Sequence, residues 1–105
     1  STYWISAATI TAGSPWTIAS SSGTDTFTLQ AVFHPSQPAL GDFGDEDKAT
    51  DTPAASTGTK FALGQSGVTV PAGATRLLWL KLGMPRITST EAAQDIRVRA
   101  TAAAP

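Results

Sequence analysis

The 105-residue sequence predicts an all-β fold, a two-sheet antiparallel sandwich, and three observations predict it. Apolar and polar residues alternate in runs rich in β-branched and aromatic side chains, the period-2 mark of strands half buried against a core. Clusters of Gly, Pro, Ser and Asp bound those runs at intervals of roughly 8–15 residues, the spacing of sandwich or barrel strands rather than of strand-helix-strand units. Little in the chain could start a helix.

Taken in order, Tyr3 to Ser6 and Trp16 to Ala19 are short strand candidates, separated by the turn Gly13-Ser14-Pro15. The clearest strand covers residues 26–33. Phe27, Leu29, Ala31 and Phe33 fall on one face, and Thr26, Thr28 and Gln30 on the other. Residues 39–59 are acidic and Thr-rich with little apolar content, and read as a long loop with one helical turn near Asp45 to Ala49. Lys60 to Leu63 and Val68 to Val70 are further short strands. Residues 75–82 form a central strand with Leu78, Leu80 and Leu82 on one face. Ile96, Val98 and Ala100 alternate with Asp95, Arg97, Arg99 and Thr101 in a last strand, and residues 101–105 read as a frayed tail or the start of a linker. The expected core is Phe27, Leu29, Phe33, Leu78, Leu80, Ile96 and Val98.

Length and composition fit one domain over residues 1–105. A net charge of −1, with scattered Lys and Arg, offers no basic field for nucleic acid. No stretch approaches the ~20 apolar residues of a spanning helix. Cysteine is absent, which excludes disulfides, thiolate metal sites and cysteine nucleophiles. Asparagine is absent too, which excludes Asn-linked glycosylation.

Val68-Thr69-Val70-Pro71-Ala72-Gly73-Ala74-Thr75, the strand Leu77-Leu78-Trp79-Leu80-Lys81-Leu82, Met84-Pro85 and Ile96-Arg97-Val98-Arg99-Ala100-Thr101 together resemble the late hairpin and closing strand of bacterial Ig-like modules of secreted and surface proteins, including cell-adhesion-related ones. Pro15-Trp16-Thr17-Ile18 and Thr2-Tyr3-Trp4-Ile5-Ser6 are similar to earlier parts of that pattern, more loosely. The resemblance implies an Ig-like sandwich. It also implies a strand ahead of Tyr3 that this chain lacks, so the sandwich is expected to be incomplete at its N-terminal edge, a template for strand addition.

Candidate sites are few. Asp42, Asp45, Asp47 and Asp51 could supply oxygens to calcium, but their spacing departs from the EF-hand pattern, and a solvated loop is the default reading. His34 is the only histidine, and no nucleophile and orienting carboxylate accompany it in a motif, so no catalysis is expected. Tyr3, Trp4, Leu77 and Trp79 are the expected interface: Trp4 faces away from Tyr3 and Ile5, and Trp79 away from Leu78 and Leu80, giving both runs apolar groups on both faces. The competing account covers those faces with the loop of residues 39–59.

The sequence thus points to a non-catalytic structural subunit or module of an extracellular or cell-surface assembly (fibre, pilus or surface layer) whose partners are copies of itself or a companion subunit. Two alternatives stand beside it. One is a carbohydrate-binding module of a secreted enzyme, stacking sugar on Trp79 or Trp4; the other is a virion surface or decoration protein.

Overall fold

A computed structural model describes residues 1–104. Six strands, β1 (Thr2–Thr9), β2 (Thr17–Ile18), β3 (Thr26–Phe33), β4 (Ala54–Ala55), β5 (Leu78–Gly83) and β6 (Ile96–Ala103), form two three-stranded sheets in the orders β4-β1-β6 and β2-β3-β5. All pairs are antiparallel except the short β2–β3 pair. The fold is all-β, as the alternation implies. Two 3₁₀ turns, Leu40–Asp42 and Asp45–Asp47, lie in the loop after β3, the second where a helical turn is expected.

The sheets meet through their inward faces. Ile5 and Ala7 of β1 pack with Leu29, Ala31 and Phe33 of β3, and Tyr3, Leu78 and Val98 lie against this cluster partly buried. The Tyr3 and Phe33 rings stand 5.9 Å apart, within the range of favourable tilted aromatic pairs. Phe61 and Ala49 complete the cluster from outside the long strands. With extents of 44 × 27 × 18 Å the domain is thin, the depth of two layers and little more.

One side of this sandwich is closed by the chain itself. Lys48 bridges to Gln30 and Ala49 N–H donates to Leu29 C=O, on the β3 edge opposite β5. Ala7 N–H then donates to Thr50 C=O, and β4 pairs with Trp4 and Ile5, on the β1 edge opposite β6. The segment crosses from one sheet to the other and stitches them together. What the sequence presents as a long loop is therefore the side wall.

Several expectations change. The edge of β1 away from β6 is occupied from Ser1 to Ala7: Ser1 exchanges bonds with Val70, Tyr3 N–H donates to Gly67 C=O, and Ser56 N–H donates to Tyr3 C=O, ahead of the β4 pairing and the Ala7 bond to Thr50. An open edge at the N-terminal strand is not found, because β1 is the middle strand of its sheet. Lys60 to Leu63 and Val68 to Val70 form no strands, yet Phe61 and Val70 are buried, plugging the core from turns. Thr101 to Ala103 are not frayed, since they pair with Trp4, Tyr3 and Thr2; Pro105 lies outside the described residues.

The core list needs one correction. Phe27, Leu29 and Phe33 are buried, and Leu78, Ile96 and Val98 are half-buried, but Leu80 is 48% exposed. Leu80 does share the inward face, paired with Ala31, but β5 has no neighbour on its outer side to cover it. Leu80→Ala should therefore cost less than about 1 kcal/mol, against about 2–5 kcal/mol for Leu29→Ala, as read by denaturant unfolding. Equal losses would mean that β5 is covered in solution.

Candidate functional site

The side opposite the stitched wall is open. Register and the His34 N–H to Leu77 C=O bond place the β3-directed main-chain groups of β5 on Leu77, Trp79, Lys81 and Gly83. Antiparallel pairing alternates these directions, so the amides and carbonyls of Leu78, Leu80 and Leu82 point outward. In β6 the Ile10 N–H to Asp95 C=O bond sets the same alternation, leaving Ile96, Val98, Ala100 and Ala102 with outward main-chain groups. No other strand pairs with either edge among the described residues. The outward groups belong to the residues whose side chains face the interior.

Apolar surface accompanies these free edges. Leu80 is 48% and Leu82 46% exposed, and Leu77 and Met84 flank them, also exposed. Ala100 and Ala102 are exposed although they share the inward face of β6 with Val98. A half-exposed leucine leaves on the order of 1 kcal/mol of burial unrealised.

Charge is distributed unevenly about this seam. Arg76, Lys81, Arg86, Arg97 and Arg99 lie in residues 76–103, a stretch whose acids are Glu91 and Asp95, and Asp51 is brought beside Arg97 and Arg99 from the other side of β1. That part of the chain is net positive within a chain of net charge −1. The other acids cluster mainly in residues 42–51.

The expected interface residues fall in different settings. Trp4 is 40% and Leu77 48% exposed. Tyr3 is half-buried and packs on Phe33, because it lies on the core face of β1. Trp79 lies on the outer face of β5, half-buried, with its indole N–H donating to His34 C=O at 2.9 Å. Trp16 is half-buried as well, tilted on Phe27 at 6.2 Å and bonded to Thr88 Oγ1. Of the three tryptophans, Trp4 alone is exposed.

The four aspartates do not converge. Asp42 Oδ2 accepts from Ala39 N–H at 2.9 Å and Asp47 Oδ2 from Gly44 N–H at 2.8 Å, each closing its own 3₁₀ turn as the reciprocal half of a capping box does. Asp47 Oδ1 accepts from Phe61 N–H at 2.9 Å. Asp45 pairs with Lys48 at 3.2 Å, an exposed contact of little energetic weight. Asp51 borders a groove of about 160 Å³ together with Arg97 and Arg99. No cluster of three or more His, Asp or Glu placed to hold a metal ion occurs among the described residues.

The polar chemistry elsewhere is local. His34 Nδ1 contacts Ser36 N and O at 3.1 and 2.9 Å, closing a turn, with no carboxylate among its partners. Asp25 accepts from Ser89 N–H and Ser89 Oγ, both at 2.7 Å, and these bonds hold its carboxyl below the ordinary carboxylate value. Grooves of about 160 to 290 Å³ are open and smaller than the ~300–1,000 Å³ of typical small-molecule pockets.

No family model, curated protein or solved structure matches the chain, so the geometry alone carries a functional reading. The feature the sequence kept hidden is the open seam. Its one local signal is the placing of Arg97, Arg99 and Lys81 on otherwise apolar strands, a pattern that protects edge strands from indiscriminate pairing.

Proposed function

We propose that the chain is a non-catalytic structural module of an extracellular assembly, an Ig-like sandwich repeated in a fibre, pilus or surface layer and acting through contacts between chains. The open side carries this reading: two strand edges without partners and two leucines of the inward face about half exposed. Unpaired edges beside apolar surface are what another chain covers in an assembly. Trp4 and Leu77 add exposed apolar contact area beyond the seam. The two-layer antiparallel layout and the Pro71-Ala72-Gly73 turn ahead of β5 support the Ig-like assignment.

Sedimentation velocity at rising concentration should show reversible association beyond the monomer. Trp4→Ser and Leu80→Lys should each shift it to higher concentration without changing the far-UV spectrum, since both positions are about half exposed. A chain that stays monomeric into the millimolar range would overturn self-assembly. The carbohydrate-binding alternative has Trp4 in its favour as an exposed aromatic, and loss of polysaccharide retention on Trp4→Ala is the result that would select it.

A further inference from the structure

The geometry points to the outer edge of β6 as an acceptor for one added strand, contributed by a companion chain in which apolar residues alternate with acidic ones. This rests on the proposed role in contacts between chains and adds the site and the partner's chemistry. β6 is the longest unpaired edge, eight residues all paired to β1 on the other side. Its outward amides and carbonyls, on Ile96, Val98, Ala100 and Ala102, offer a ladder that an extended segment can continue.

Side-chain alternation fixes the rest. A strand laid on this edge sends every second residue inward, toward Val98 and Ala100 and across the seam to Leu80 and Leu82. Inward-facing residues of β6 fall in size from Ile96 and Val98 to Ala100 and Ala102, so space opens for apolar side chains that the chain does not itself supply. The intervening residues of the added strand share the outer face with Arg97, Arg99 and Thr101. Directly opposed side chains stand about 4.5–5.5 Å apart, where opposite charges attract and like charges repel. Acidic residues are favoured there.

The same rule disfavours a second copy at this edge. β6 against β6 would bring Arg97 and Arg99 near their equivalents, and β5 against β6 would bring Lys81 to them. Self-association through exposed leucines or Trp4 needs no strand pairing and is separate.

The probes are labelled eight-residue peptides in which valine and leucine alternate with glutamate, the same pattern with lysine, and a glutamate peptide whose alternation is scrambled. Fluorescence polarisation should show binding of the alternating glutamate peptide only, and amide exchange should slow at Val98, Ala100 and Ala102. Ala100→Pro removes an outward N–H and spares the β1 ladder, the one setting in which an edge strand tolerates proline. It should weaken binding by about tenfold or more. Arg97→Glu with Arg99→Glu should invert the preference toward the lysine peptide, which keeps the test valid if Ala100→Pro unfolds. Equal binding of all three peptides, or protection at Leu78, Leu80 and Leu82 instead, would overturn the assignment. Such a failure leaves self-association in the absence of peptide intact, so the two ideas fall separately.

Discussion

Phe61→Ala should destabilise the domain by about 3–5 kcal/mol, the range for removing a fully packed aromatic ring. Phe61 is 0% exposed and reaches the core from a turn rather than a strand. Its backbone sits at φ 57°, a region that a bulky residue seldom enters and that costs on the order of 1 kcal/mol or more. Three contacts hold it there: its N–H on Asp47 Oδ1, its C=O accepting from Phe33 N–H at 3.1 Å, and the Lys60 ammonium 4.8 Å over the ring. Alanine forfeits the burial while keeping the strained backbone. Urea unfolding reads the change, and a loss under about 1 kcal/mol would show that the ring is not a core element.

Asp47→Ala is expected to be the most costly polar substitution, at about 2–4 kcal/mol. Asp47 is 5% exposed and accepts from two backbone N–H groups, those of Gly44 and Phe61. Removing it leaves a buried amide at Phe61 without a partner, and such a group loses water without regaining a bond. It also loosens the 3₁₀ turn that begins the wall between the sheets. Asp47 accepts from the main-chain N–H of Phe61, which Phe61→Ala keeps, so the two losses should add within about 0.5 kcal/mol in the double variant, and a larger departure would show that the ring and the carboxylate hold the turn jointly. Asp47→Asn keeps an acceptor and should fall between wild type and alanine.

Alternation made the long strands legible and hid their surroundings. Residues 26–33 and 96–101 are readable because their apolar residues recur with a period of two, although in the structure Thr28, Gln30 and Val32 on the outer face of β3 are buried as well. The same period placed Leu80 on the inward face correctly and could not tell that β5 lies at an edge, since a strand's neighbours are chosen by distant chain. Phe61 and Val70 looked like strand residues for the same reason: a turn that dips into the core leaves an apolar residue but no alternation. The charge density of residues 42–51 makes Asp47 a candidate calcium ligand, whereas the informative feature is its position three residues beyond Gly44, the spacing at which a carboxylate closes a turn. Trp79 was legible as outer-face but not as bonded to His34, a contact across strands that no local pattern encodes.

The antiparallel register of β1 with β6 puts Thr2 beside Ala103 and Thr9 beside Ile96, so both outer chain ends of this pair leave from one end of the domain. Tension applied at Thr2 and Ala103 would load the rungs of that ladder singly, peeling them like a zipper, whereas opposite-end loading would shear them together. A string of such units pulled through its covalent backbone would yield rung by rung. A pulling force that enters across the free edge of β6 is instead shared by its whole length.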